Sequence, residues 1–146
     1  MSAVDVVTQI VIDRPRTEVA DFSADPDNAT KWYVNIKAVE WKTPRPLRAD
    51  SQIAFVAQFL GRRLEYTYRI TDFVPQRRLV MKTADGPFAM ETTYEWADVN
   101  GDKTRMTLRN RGQPSGFAST VGPLMSFAMR RANQNDLRRL KQILER

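Results

Sequence analysis

The stretch FAMETTYEW, residues 88–96, shows the clearest alternation of apolar and polar side chains in the sequence. One face carries Phe88, Met90, Thr92, Tyr94 and Trp96, and the other carries Glu91, Thr93 and Glu95. A repeat of two residues is typical of an antiparallel strand with one face toward a core and the other toward water. The stretch therefore predicts one strand of a sheet that is apolar on one side only.

The same repeat extends in both directions from this strand, between Val34 and Arg111. The strands that it predicts cover about residues 35–42, 50–60, 63–73, 78–84, 88–98 and 104–111. Turn residues separate them, at Pro44-Arg45-Pro46, Gly61, Pro75, Asp85-Gly86-Pro87 and Asn100-Gly101. Residues 4–13 are rich in β-branched side chains and predict a first strand, which completes an antiparallel sheet of seven strands.

Helices are predicted on both sides of this run of strands. Pro15 suits the first turn of a helix, and Asp25-Pro26 offers a capping residue followed by proline at the first helical position. Two short helices are therefore expected after the first strand, ending near Tyr33. From about Ser115 to Glu145 the sequence predicts one long helix, which Pro123 is expected to kink or to start afresh because proline lacks a backbone donor.

The apolar stripe of the long helix is expected to shift along its length. The first part of the stripe consists of Phe117, Val121, Leu124, Met125, Ala128 and Ala132. Past Asn133 the stripe moves, and Met129, Leu137, Leu140 and Leu144 lie on a face rotated from the first by about a quarter turn or somewhat more. The two halves of the helix are therefore expected to contact different neighbours.

An apolar sheet face and a single long helix predict an α+β helix-grip fold over residues 1–146, taken as one domain, in which a curved sheet wraps around the C-terminal helix. Because a helix is only about 10 Å across, a strongly bent sheet cannot touch it everywhere, and a pocket of roughly 300–1,000 Å³ is expected between them. The predicted ligand-binding residues are Trp32, Phe55, Phe59, Tyr66, Tyr68, Met81, Thr92, Tyr94, Trp96, Met106, Phe117, Leu124, Met125 and Ala128.

Several of these residues have two interpretations. The hydroxyls of Tyr66, Tyr68 and Tyr94 are either core groups with backbone partners or donors to a ligand, and the core interpretation is favoured. Thr8, Thr92 and Asn110 have the same two interpretations. Trp32 and Tyr33 either control ligand entry or anchor the second short helix. The methionines form either a deformable lining or ordinary core.

Composition excludes many kinds of chemistry. The 146 residues include no Cys and no His, which excludes disulfides, thiolate zinc sites and histidine-based catalytic triads. Asp72, Glu91 and Glu95 fall on outward positions, so no pair of carboxylates is predicted on the inner face, as acid–base hydrolysis needs. No catalytic residue, metal site or cofactor is therefore predicted.

The net charge of +6 is concentrated near the end of the chain. Residues 130–146 contain Arg130, Arg131, Arg138, Arg139, Lys141 and Arg146 against Asp136 and Glu145. We interpret this cluster as a solvated helix face; the alternative is a surface formed by its four central arginines, Arg130, Arg131, Arg138 and Arg139, that docks on RNA or an anionic membrane. No apolar run approaches the roughly 18 residues of a membrane span, and Met1–Asp5 lacks a basic leader, which predicts a cytoplasmic protein.

The order of elements resembles the START-like (SRPBCC) superfamily, which includes the polyketide cyclase/dehydrase and lipid-transport group and the plant pollen-allergen fold. The resemblance covers the whole chain and is carried by Val6 to Pro15, Glu18-Val19, Phe22, Asp25, Trp32, Tyr68 to Pro75, Arg78-Leu79, Thr92 to Trp96, Leu137 to Lys141 and Leu144-Glu145. Tyr33-Val34-Asn35 departs from it, since a proline often follows the tryptophan in that group. No catalytic residue is implied by the resemblance.

The resemblance implies an internal cavity for molecules such as lipids, quinones, steroids, hormones or polyketides. The leading hypothesis is binding or transport of a small hydrophobic or amphipathic ligand, such as a lipid, an isoprenoid quinone or a polyketide-like molecule. The alternative is an aromatase/cyclase or dehydratase that uses cavity tyrosines as proton donors. The RNA- or membrane-docking module is the third hypothesis.

Overall fold

The computed structural model of the chain describes residues 4–59, 61–86, 89–113 and 122–146. Its strands are β1 (Val4–Ile12), β2 (Ile36–Trp41), β3 (Gln52–Phe59), β4 (Arg62–Val74), β5 (Arg78–Asp85), β6 (Ala89–Val99) and β7 (Lys103–Gln113). Its helices are α1 (Arg16–Ala24), a 3₁₀ helix (Pro26–Asn28) that leads into α2 (Ala29–Trp32), and α3 (Gly122–Leu144). The predicted fold class is confirmed, and the strand ends lie within two residues of the predicted ones.

The seven strands form one antiparallel sheet in the order β1-β7-β6-β5-β4-β3-β2. The pairing of β4 with β5 shifts register twice, between Thr67 and Tyr68 and between Ile70 and Asp72, and the pairing of β2 with β3 shifts between Ile36 and Ala38. Such bulges bend a strand and increase its twist. They lie in the half of the sheet formed by β2 to β5.

Two predicted local signals are confirmed in the connections. The side chain of Asp25 accepts a hydrogen bond from the backbone N of Asp27 at 2.9 Å, which caps the 3₁₀ helix, and Pro26 is the first residue of that helix. Asn100 and Gly101 both have positive φ angles, of 50° and 81°, between β6 and β7. Three residues, 100–102, connect the paired strand ends Val99 and Lys103. Positive φ is a backbone region that glycine adopts freely and asparagine tolerates, which explains the Asn-Gly pair.

The main core lies where the C-terminal half of α3 and the helix α1 cover β1, β5, β6 and β7. It is formed by large apolar side chains, among them Ile12, Val19, Trp32, Leu79, Trp96, Met106, Leu108, Leu137, Leu140 and Leu144. The indole Nε1 of Trp96 donates to Ser23 Oγ at 2.9 Å, which ties β6 to α1. Smaller clusters lie around Phe55 on β3 and around Met125 at the start of α3. A cavity lies between these three clusters.

The two halves of α3 contact different neighbours, as predicted, since Met125 packs with Val4 and Val6 whereas Leu137, Leu140 and Leu144 belong to the main core. The predicted inward face of the first half is wrong. One continuous face is turned inward, with Met125, Asn133, Asp136, Leu137, Leu140 and Leu144 buried. Leu124 and Phe127 are instead 54% and 63% exposed. The prediction failed because it followed apolar residues only, whereas the inner face of the helix includes a polar pair, Asn133 and Asp136.

The start of α3 can be compared with the sequence only in part. Pro123 is the second residue of the described helix, a position that its missing backbone donor allows. The predicted helix start at Ser115 and the predicted inward residues Phe117 and Val121 lie outside the described residues.

The outer surface of α3 carries the predicted basic cluster. The side chains of Arg130, Arg131, Arg138 and Arg139 are exposed. Two of them contact neighbouring elements, since Arg130 Nη1 donates to the carbonyl of Val7 at 3.2 Å and Arg139 Nε donates to the carbonyl of Lys31 at 2.6 Å. In the described part of the chain, no helix has the length and apolarity needed to cross a membrane.

Candidate functional site

A cavity of about 140 Å³ lies between the inner face of the sheet and α3. Its wall is formed by Phe55, Ala57 and Phe59 of β3, by Leu64, Tyr66 and Tyr68 of β4, by Met81 and Thr83 of β5, by Met90, Thr92 and Tyr94 of β6, by Asn110 of β7, by Met125, Met129, Ala132, Asn133 and Asp136 of α3, and by residues 23–36 around α2. The volume is below the expected 300 Å³. It is close to that of an apolar cavity that accepts a single benzene ring.

The sequence correctly places most of the predicted ligand-binding residues on this wall. They are Phe55, Phe59, Tyr66, Tyr68, Met81, Thr92, Tyr94 and Met125. On β3, β4 and β6 they follow the predicted alternation, so that every second residue points at the cavity. Whether they bind a ligand remains a prediction.

Three predicted residues belong to the core and not to the cavity wall. Trp32, Trp96 and Met106 are buried against other side chains. The ring of Trp32 lies 4.1 Å from that of Tyr33 and 5.8 Å from that of Tyr94, so these two tyrosines separate it from the cavity. Trp96 lies beneath α1, where its indole contacts Ser23. The alternation along β6 correctly predicts that Trp96 lies on the inner face of the sheet, but it does not predict how far Trp96 is from the cavity.

The remaining predicted residues lie elsewhere. Leu124 and Ala128 line a second pocket with Val34, Phe127 and Arg131, between α3 and the end of β3. The prediction that they face the cavity is wrong, because the inner face of the helix is centred on Met125, Met129 and Asn133. Phe117 lies outside the described residues.

Two hydroxyls at the α2 side of the cavity bind each other. The hydroxyl oxygens of Tyr33, at the end of α2, and Tyr94, on β6, lie 2.5 Å apart. Burial raises the pKa of both phenols above the ordinary value. Both side chains are therefore neutral near pH 7. Because their hydroxyls share one hydrogen bond, a ligand can use only the hydrogen-bonding capacity that this bond leaves free.

A second polar chain crosses the sheet face. The Thr92 hydroxyl donates to Asn110 Oδ1 at 2.6 Å and lies 3.1 Å from the Tyr68 hydroxyl. Because the single proton of Thr92 is used toward Asn110, Tyr68 is the donor in the other bond. The expected backbone partners are thus replaced by side chains from β4, β6 and β7. Tyr66 differs, since its hydroxyl has no hydrogen-bond partner among the described residues.

Sequence reasoning missed the acid in the cavity wall. Asp136 of α3 is 2% exposed, and its Oδ1 accepts a hydrogen bond from the backbone N of Val34 at 2.9 Å. Burial raises the pKa of Asp136 to about 7, although the Val34 N–H and the positive charge of Arg139 favour the ionised form. The side chain therefore changes its charge near neutrality, which an ordinary surface aspartate does not do.

One helical turn earlier, Asn133 is also buried in the wall. It is 5% exposed, and its Nδ2 has no hydrogen-bond partner among the residues that the structure describes. The signal in the sequence was the spacing of residues 125, 129, 133, 136 and 140, which follows one face of a helix whether or not the residues are apolar. Over the described ranges, no three acidic side chains lie close enough together to hold a metal ion.

The chain matches known proteins in both sequence and fold. Residues 3–145 match the family described as polyketide cyclase / dehydrase and lipid transport. No curated protein matches the chain by sequence.

Several solved structures share the fold over nearly the whole chain. A Thermus thermophilus protein is 17% identical, with a TM-score of 0.83 and 96% of each chain covered. The Zhui aromatase/cyclase of a Streptomyces species is 14% identical, with a TM-score of 0.83, covering 99% of this chain and 95% of its own. A START superfamily protein of Mycobacterium smegmatis is 11% identical, with a TM-score of 0.83 and 97% of each chain covered. Because the family model matches residues 3–145, the chain belongs to the polyketide cyclase / dehydrase and lipid transport family.

Proposed function

We propose that the chain binds a small apolar or amphipathic molecule in the cavity between the sheet and α3. The observation that carries this proposal is a cavity of about 140 Å³ whose wall is largely aromatic and aliphatic, with a few polar side chains among them. Small-molecule sites generally have this composition. The family description joins cyclases with lipid transport, and both activities need a cavity that accepts an apolar molecule.

The cavity volume narrows the ligand class. At about 140 Å³ it encloses one ring with a few substituents. A lipid or an isoprenoid quinone would place only its ring or one end inside. We therefore favour a single-ring molecule, or a larger molecule that inserts a single ring, over a fully enclosed lipid chain.

Binding is favoured over catalysis by the cavity tyrosines. A useful general acid has a pKa near the working pH, whereas burial raises the pKa of Tyr33, Tyr66, Tyr68 and Tyr94. Tyr68 already donates within the wall, toward Thr92. These groups are suited to positioning a ligand. The membrane or RNA contact through the basic face of α3, and the cytoplasmic location, remain predictions.

Toluene is the probe that tests this proposal. It has one ring and no polar group, and we expect saturable binding with a stoichiometry of one per chain by isothermal titration calorimetry. At a free concentration ten times the dissociation constant, binding adds about 1.4 kcal/mol to the free energy of unfolding. For a chain of this size that raises the thermal midpoint by roughly 3–6 °C.

The Ala57→Leu variant is the control for a non-specific solvent effect, because its added side-chain atoms would fill the cavity and toluene should no longer raise its midpoint. A midpoint that toluene leaves unchanged or lowers, together with no heat of binding, would refute the proposed function.

A further inference from the structure

Two polar side chains on α3 indicate which chemical group the ligand carries. We infer that Asn133 and Asp136 together hold a hydroxyl group on the ligand ring, so that the preferred ligand is a phenol or a closely related ring alcohol. This inference rests on the proposed function, because it needs a ring in the cavity.

Both side chains belong to the cavity wall and lie on the same face of one helix. Residues three apart on a helix have Cβ atoms only about 5–6 Å from each other. A single polar group on a ligand ring can therefore reach both of them. The ring itself would lie against the aromatic wall of β3 and β4, near Phe55 and Tyr66.

Each of the two side chains has an unused hydrogen-bonding group. Asn133 Nδ2 is buried without a partner in the described part of the chain, and the amide can turn about its last side-chain bond to meet a ligand. Asp136 uses Oδ1 for the Val34 N–H, and its other oxygen accepts no hydrogen bond from the described residues. A buried donor left unpaired is costly, so a ligand that supplies the missing acceptor is favoured over one that does not.

A hydroxyl group matches both needs. The amide of Asn133 donates and requires an acceptor, while ionised Asp136 accepts and requires a donor. The oxygen of a hydroxyl accepts from Asn133, and its O–H donates to Asp136. An ammonium group has no acceptor for Asn133, a carboxylate has no donor for Asp136, and a hydrocarbon has neither.

The match depends on pH because Asp136 titrates near neutrality. Above pH 7 the Asp136 carboxylate accepts a hydrogen bond from the ligand hydroxyl. Below pH 7 Asp136 is protonated and becomes a second donor beside Asn133, and a hydroxyl is a poorer partner for two donors. The other groups that face Asp136 are Arg139 on α3 and the phenols of Tyr33, Tyr66 and Tyr94. Arginine stays charged and these phenols stay neutral between pH 6 and pH 8, so Asp136 alone would set the change.

The test compares p-cresol with toluene, because the two molecules differ by one hydroxyl group. Dissociation constants are measured by calorimetry at pH 6 and pH 8. In the unmodified protein at pH 8 we expect p-cresol to bind at least about tenfold more tightly than toluene, and the ratio to fall at pH 6. In Asp136→Asn the ratio should no longer change with pH, and in Asn133→Leu it should approach one while toluene still binds.

Asn135→Leu is the matched control, because it makes the same substitution at an exposed position of the same helix, outside the cavity wall. It should leave the ratio unchanged. Tyr66→Phe tests the rival site, because the Tyr66 hydroxyl also belongs to the wall. Equal binding of p-cresol and toluene to the unmodified protein at pH 8 would overturn the inference and leave the proposed function standing. A ratio that is lost in Tyr66→Phe but kept in Asn133→Leu would also overturn it, by assigning the hydroxyl site to β4. If neither molecule binds, the proposed function itself fails.

Discussion

Asp136→Asn is expected to raise the free energy of unfolding at pH 8 by about 2–4 kcal/mol and to change it little at pH 4. Asparagine keeps an oxygen for the Val34 N–H and carries no charge. Burial raises the pKa of Asp136 to about 7 in the folded chain, from a usual value of 3.8. Each pKa unit of difference corresponds to about 1.36 kcal/mol.

The sign follows from proton binding. Between pH 4 and pH 7 the folded chain holds a proton on Asp136 that the unfolded chain has released, so this group lowers stability as pH rises. Above pH 7 both states are ionised and the loss is complete. Asparagine removes the effect.

Urea unfolding at pH 4, 6 and 8 measures the difference between the variant and the unmodified protein. Asp21→Asn, at an exposed position of α1, is the control for the loss of one negative charge. A stability difference for Asp136→Asn that is the same at all three pH values would contradict the raised pKa.

Ala57→Leu is expected to abolish toluene binding while leaving the fold intact. Ala57 is buried on β3, and its methyl group forms part of the cavity wall. Three added carbon atoms would enter a cavity of about 140 Å³ and take the place of the ring. Overpacking a filled core costs about 1–3 kcal/mol, but here the added atoms meet empty space, so stability should be unchanged or increased.

The matched control is Ala54→Leu, which adds the same atoms to the opposite face of the same strand. Residues 53, 55 and 57 face inward and Ala54 faces outward. Calorimetry with toluene should give wild-type binding for Ala54→Leu and no measurable binding for Ala57→Leu. Wild-type affinity in Ala57→Leu would place the bound toluene somewhere other than this cavity.

The sheet could be predicted because its signal is local. Alternation along residues 88–96 assigned the inward face of β6, and the same rule placed Phe55, Tyr66 and Tyr68 on the cavity wall. Turn residues such as Asn100-Gly101 then fixed where strands end, since few residues tolerate their backbone angles. Strand period and turn chemistry are both properties of neighbouring residues in the chain.

The inner face of α3 could be predicted only in part. Leu124 is apolar and exposed, whereas Asn133 and Asp136 are polar and buried, so counting apolar residues assigned the wrong phase to the first half of the helix. Apolarity locates a core face reliably only where the helix meets packed side chains, as at Leu137 and Leu140. Beside a cavity whose wall includes polar side chains, that rule no longer holds.

The size of the cavity could not be predicted either. It depends on how sharply the sheet bends, and the bend depends on register shifts such as the one between Ile70 and Asp72. Nothing in the alternation of β4 marks that position. The expected volume was therefore the general range for small-molecule pockets, and the observed cavity is smaller.

Methionine methyl resonances give the most direct test of a ligand in this cavity. Met81, Met90, Met125 and Met129 line the wall, while Met106 is fully buried in the neighbouring core and does not. On titration of ¹³C-methyl-methionine-labelled protein with toluene, the four wall methyls should shift together and saturate with one dissociation constant, and Met106 should change much less. Unchanged wall methyls at millimolar toluene, or a shift of Met106 as large as theirs, would contradict a ligand site between the sheet and α3.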